Sequence, residues 1–228
     1  MDTLPALAFD HLAIAAGRLG EGIDFVEEKL GVRMPLGGKH PAMNTHNALM
    51  KLGDRLYLEV IAIDPEAGPA ARPRWFGLDD PATRARLAAD GPSLIGWLAR
   101  TDDLSASLRA GGSELGAPLP MSRGGLDWRI AVRPDGAPPM GGLLPILIQW
   151  PPGIHPTTQR MPDLGVRFLG LTLRAAKPEF LRAALARIGA VGLADLKPMR
   201  RGAPALEAAF VRPDGTEAVI TGGELVWA

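Results

Sequence analysis

From Ala6 to Ala15 the chain runs ALAFDHLAIA, a mostly apolar segment of strand length bounded by Pro5 and Gly17. Leu19, Ile23, Val26 and Leu30 then recur at spacings of four, three and four, which predicts a helix over Arg18–Leu30 with Gly31 as its stop. Three extended segments follow, Val32–Leu36, His46–Leu52 and Arg55–Ile63, separated by Gly37-Gly38 and Gly53-Asp54. The order is strand, helix, three strands.

The pattern returns. Asp80-Pro81 predicts a short linker helix ending near Gly91, because aspartate caps a helix and proline is tolerated in its first turn. Ser93–Arg100 reads as a strand, Asp102 or Asp103 caps a helix carrying Leu104 and Leu108, and Gly111-Gly112 stops it. Leu126, Trp128, Ile130 and Val132 alternate with polar or small residues as in a half-buried strand, and LLPILIQW (Leu143–Trp150) supplies the last strand. A third unit opens with a strand over Val166–Arg174 and a helix starting at Pro178, then strands over Ala205–Val211 and Thr216–Thr221. Val-Arg-Pro-Asp-Gly occurs at both 132–136 and 211–215, and Gly96 with Arg100 matches Gly170 with Arg174, so the units read as an internal repeat. The predicted organisation is residues 1–64, a linker over 65–92, 93–151, a second linker over 152–165, and a partial unit over 166–228.

Composition narrows the function classes. Twenty-five Lys+Arg balance 25 Asp+Glu, which leaves no uniform field for nucleic acid or anionic lipid. No stretch approaches the roughly 18 apolar residues of a membrane span, and the amino terminus lacks a signal-type segment. With no cysteine, His, Asp, Glu and neutral oxygens are the available ligands, and a cytoplasmic location is expected. No phosphate-binding loop and no dinucleotide fingerprint is present, so no nucleotide cofactor is expected, and a Gly-x-Ser-x-Gly elbow is missing too.

Two positions stand out chemically. His11 interrupts the first apolar strand beside Asp10, and Glu59 interrupts a second apolar strand, where an inward carboxylate must neutralise, pair or bind a metal. His40 and His155, each followed by proline, read as rigid turns, and His46 as a strand-edge histidine. Arg72 and Arg74 beside Trp75-Phe76 read as an exposed linker with solvated charge.

Asp10-His11, Gly37-Gly38-Lys39-His40-Pro41, Asn47 and Tyr57-Leu58-Glu59 together resemble the glyoxalase-like branch of the vicinal-oxygen-chelate superfamily. The resemblance implies an α+β fold of repeated βαβββ modules, each an open half-barrel, with the third unit as a partial module. It further implies a divalent metal (Zn, Fe, Mn or Ni) held by residues on the first and last strands of each module. His11 and Glu59 fill the first module's positions; strand alignment sets Gly96 and Gln149 in the second and Gly170 and Thr221 in the third. The expected ligands are then His11, Glu59 and Gln149, one position is left open, and Glu59 doubles as the proton shuttle. Asn47, Tyr57, Trp97 and Trp128 are the candidate substrate contacts.

Two readings follow from the resemblance. In one, a small oxygenated metabolite chelates the metal of a lyase, isomerase or dioxygenase; in the other, a metal-free cleft sequesters an organic ligand. The unpaired third unit is expected either to serve a homodimer or to cover the barrel.

Overall fold

The computed structural model describes residues 6–158, 161–201, 203 and 205–222. The first unit is β1 (Leu7–Ala15), α1 (Leu19–Leu30), β2 (Leu36–His40), β3 (Thr45–Gly53) and β4 (Leu56–Ile63). A linker helix, α2 (Pro81–Asp90), capped by Asp80 through the Thr83 amide, leads to β5 (Ser93–Thr101), α3 (Leu104–Gly111), β6 (Ala117–Arg123), β7 (Leu126–Val132) and β8 (Ile146–Gln149). The third unit is β9 (Arg167–Ala175), α4 (Pro178–Arg187), β10 (Asp195–Pro198), β11 (Leu206–Val211) and β12 (Glu217–Thr221).

The first two units share one eight-stranded sheet in the order β2-β3-β4-β1-β5-β8-β7-β6. In each, the first strand pairs in parallel with the last, β1 with β4 and β5 with β8, and the units join where β1 runs antiparallel to β5. The sheet curls until its edges meet: a Cβ on Gly38 of β2 would lie 3.1 Å from the Arg123 side chain of β6. The result is a nearly closed, mixed α+β half-barrel pair.

Alternation divides the apolar residues between two faces. Leu12, Ile14, Leu58 and Val60 point outward under the α1 stripe Leu19, Ile23, Val26 and Leu30, each such side chain contributing about 1.5–3 kcal/mol by its burial. Ala13, Ile61, Leu98, Trp128, Ile130 and Ile148 fill the concave face. Trp75 and Phe76 are buried there as well, so that part of the predicted exposed linker is a plug in the barrel, and Phe76 takes the left-handed conformation (φ 59°) that a bulky side chain rarely adopts.

The third unit repeats the element order with a different sheet order, β10-β9-β11-β12: β9 pairs in parallel with β10, the next strand after its helix, and antiparallel with β11. Its sheet packs on the outer face of the barrel. Phe9 of β1 stacks on Trp97 of β5 at 5.3 Å and meets Phe168 of β9 in a tilted contact at 4.9 Å, and Phe168 packs against Phe210. The repeated Val-Arg-Pro-Asp-Gly makes the same turn twice, with Gly136 and Gly215 at φ 72° and 85°. After Gly215 the chain returns directly into β12, whereas Gly136 passes so close to the Arg74 carbonyl that a Cβ would lie 2.0 Å from it.

Several expected boundaries shift. The second strand is Leu36–His40, with Gly37-Gly38 inside it, not Val32–Leu36, and Leu143–Trp150 is strand only over Ile146–Gln149. β6 and β10 are unforeseen; β6 carries Pro118 and Pro120, tolerated because it is an edge strand. Among the described residues no helix is long and apolar enough to cross a membrane.

Candidate functional site

A bulge in β1 sets the site. Phe9 pairs with Ala99 and His11 with Leu98, so Asp10 has no partner on β5, and the two neighbours Asp10 and His11 are both buried and bonded to each other. The Asp10 carboxylate Oδ1 accepts from His11 Nδ1 at 2.6 Å. Its Oδ2 accepts from Trp150 Nε1 at 2.9 Å and faces His155 Nε2 at 3.1 Å. The Thr157 amide donates to His155 Nδ1 at 3.3 Å, which places the His155 proton on Nε2, directed at Asp10.

With Nδ1 of His11 committed to Asp10, Nε2 faces the cavity. It lies 3.6 Å from Glu59 Oε2 and 3.4 Å from the Tyr57 hydroxyl, whose ring stacks on the imidazole at 4.1 Å. The register explains the meeting: β1 and β4 are parallel, His11 opposite Tyr57 and Ala13 opposite Glu59, so His11 and Glu59 are diagonal neighbours on one face. Asn47 of β3 donates to Glu59 Oε1 at 2.6 Å, and its own Oδ1 accepts from the Gly38 amide at 2.9 Å and from Arg123 Nη1 at 3.1 Å. Gly37 permits this approach, since a Cβ there would sit 2.3 Å from Asn47 Oδ1. Arg123 Nη1 also donates to His40 Nε2 at 2.9 Å, and the guanidinium lies 6.0 Å from the Trp128 ring.

Burial alone would push the Asp10 and Glu59 carboxyls up, but hydrogen bonds from His11, joined by His155 at Asp10, hold both below the usual carboxylate range. Burial likewise opposes charge on His11, and hydrogen bonds to Asp10 and Glu59 overcome it, raising its pKa. His40 goes the other way: burial, with the Arg123 charge, pushes it down to about 4 against the opposing pull of Glu59. These shifts favour a protonated His11 between two carboxylates, beside the His40 imidazole, which is neutral at neutral pH, and the Arg123 guanidinium. An acid and a base within 3.6 Å of each other can move a proton on a bound molecule.

His11, Asn47, Tyr57, Glu59 and Trp128 all line this cavity. Trp97 and Gln149 do not: Trp97 points to the outer face under the third unit, and Gln149 accepts from the Leu104 amide at 3.1 Å and donates to the Asp102 carbonyl at 2.7 Å, tying β8 to the start of α3. Asp10, marked in the sequence beside His11, and Trp150, an aromatic candidate for the cleft wall, join the cluster, as do Arg123 and His155, which the sequence does not mark as site residues. Asp10 is legible as a polar residue in an apolar strand; Arg123 is hidden in a proline-containing edge strand, and His155 has no local signal.

From the second unit the cavity receives the hydrocarbon of Leu98, the cross-strand partner of His11, and of Ile148, the Trp128 and Trp150 rings, and the Arg123 cation, but no carboxylate or imidazole from its strands β5 to β8. Asn47 Oδ1 is already occupied, and among the described residues no group of three or more His, Asp or Glu is arranged to hold a metal ion. This donor set does not fit the metal centre that the sequence resemblance implies.

The glyoxalase-like domain family matches residues 9–189, and the chain belongs to it. None of the curated proteins matches by sequence. Among solved structures, a hypothetical protein from Staphylococcus aureus is similar at a TM-score of 0.54 and 13% identity, over 96% of this chain and 87% of that one. Methylmalonyl-CoA epimerase from Mycobacterium tuberculosis aligns at a TM-score of 0.43 and 19% identity, over 67% of this chain and 94% of its own. The Streptomyces coelicolor epimerase in complex with 2-nitronate-propionyl-CoA aligns at 0.40 and 18% identity, over 67% and 99%.

Proposed function

We propose that the concave cavity binds a small oxygenated carboxylic acid and transfers a proton on it, as an isomerase or lyase of the glyoxalase-like family. The observation that carries this reading is the buried His11–Glu59 pair, with the imidazole's orientation fixed from behind by Asp10. Glu59 takes a proton from carbon next to the substrate carbonyl, and the His11 imidazolium donates to the oxygen that becomes electron-rich. Arg123, which has no carboxylate within 4.0 Å among the described residues, receives the substrate's own carboxylate. Trp128 and Trp150 form aromatic walls. The free space is about 30 Å³, room for water, so an organic occupant must displace part of the lining.

The test is proton–deuterium exchange of 2-oxo and 3-oxo carboxylic acids in D2O, followed by proton NMR. Exchange catalysed by the wild-type chain, insensitive to EDTA, should fall by about 10²–10⁴-fold in His11→Gln and Glu59→Gln, with Arg123→Met raising KM. Binding without exchange would instead establish the sequestering role, and exchange that appears only after loading with Zn, Fe, Mn or Ni would restore the metal-dependent one.

A further inference from the structure

A second cavity, of about 680 Å³, lies outside the barrel between α2, the loop after β7 and α4, and shares no lining residue with the His11 cavity. Its volume is in the range of a small-molecule site, roughly 300–1,000 Å³. α4 presents two faces: Leu181 and Leu185 enter the core, while Phe180, Ala183, Ala184 and Arg187, spaced along one stripe, line the cavity. Phe180 is 64% exposed on that wall, a large aromatic surface with nothing packed over it. Ile95, Leu144 and Met140 supply further apolar wall, and Met140 is held at φ 47° in the left-handed region, a strain of the kind retained where a loop shapes a site.

The charges around the cavity are unequal in their pairing. Arg133 is neutralised by Asp135 at 2.9 Å and Glu114 at 3.3 Å, and the Asp80 carboxylate accepts from the Thr83 amide. Arg86 and Arg187 have no carboxylate within 4.0 Å among the described residues; Arg187 donates to the Gly111 carbonyl at 3.3 Å, and Arg86 Nε is buried without a partner. Asp80 reaches Arg86 only through a longer-range charge interaction, so an apolar wall with two guanidiniums free of a direct ion pair among the described residues selects a hydrocarbon body with an anionic head.

We propose that this cavity is a second binding site, for an amphipathic carboxylate whose body covers Phe180 and lies against Ile95 and Leu144, and whose head is met by Arg86 and Arg187. The site stands independently of the chemistry assigned to His11.

Calorimetric titration of the full chain with dodecanoate, dodecanol and dodecylamine tests it. Dodecanoate should bind at one site and dodecylamine should not. The double variant Arg86→Gln/Arg187→Gln should weaken dodecanoate about tenfold, Ala184→Trp should abolish binding by filling the cavity, and His11→Gln should bind like the wild type. Phe180→Ser, at an exposed position, should also lose affinity and guards against misfolding of the tryptophan variant. The proposal is overturned if dodecanoate does not bind, if dodecylamine binds as well, if both cavity variants bind normally, or if the wall proves to be a dimer contact, with self-association abolished by Phe180→Ser.

Discussion

Asp10 Oδ2 and His155 Nε2 lie 3.1 Å apart although 145 residues of chain separate them. The carboxylate is fully buried, and its acceptor sites are occupied by two imidazoles and an indole. Asp10→Asn keeps the shape but removes the charge and turns an amide N–H toward one of these donors. We expect a loss of about 2–4 kcal/mol in urea unfolding, together with a fall in the His11 pKa, followed by imidazole NMR.

Acid should destabilise the protein through His40. Its folded-state pKa, about 4, lies below the ordinary 6.5, so the unfolded chain binds the proton first; stability is complete above pH 6.5 and drains away as pH falls toward 4. A difference of that size corresponds to about 3 kcal/mol. Asp10 and Glu59, also lowered, add to the acid limb, and His11, raised, acts in the opposite sense, its contribution present below pH 6.5 and lost as pH rises through its folded value. Unfolding midpoints at pH 7, 5.5 and 4.5 should drop steeply for the wild type and less for His40→Gln.

Two glycines should respond oppositely to alanine. Gly20, exposed in α1 with no atom within 4 Å of where its Cβ would stand, should gain about 0.5–1 kcal/mol from helix propensity. Gly37→Ala drives a methyl into Asn47, and should cost about 1–3 kcal/mol and disturb the Glu59 clamp. Thermal melts of the two variants, with exchange rates for the second, make the comparison.

Gln149→Ala separates the role read from sequence alignment from the one seen in the fold. Loss of its two bonds to the start of α3 should cost about 1–2 kcal/mol while leaving proton exchange on a bound acid unchanged. A metal ligand would behave differently, abolishing activity with little effect on the melt.

Much of the architecture is legible because it is periodic. The α1 stripe, the Gly31 stop, the Asp80 cap and the alternation along β7 are local signals, and each marks its element closely. What escapes depends on tertiary placement. Gly37-Gly38 resembles a break but serves close approach within β2, and the prolines of β6 mask a strand that survives only as a sheet edge. Trp97 is a tryptophan on a barrel strand whichever way it faces; that the outer face is covered by the third unit is written in β9 and β11, far along the chain. His11 and Glu59 are visible as polar residues in apolar strands, while Arg123 and His155 reach them only through the closure of the barrel and the return of the chain over its mouth.

That return has a consequence for how the protein matures during synthesis. When the ribosome has released the first barrel half, β1 already carries Asp10, yet the indole of Trp150 and the ring of His155 are still unmade. A nascent first unit therefore lacks two of the three side-chain donors that surround Asp10 in the finished fold, and the complete set forms only once the polypeptide beyond β8 has emerged and folded back.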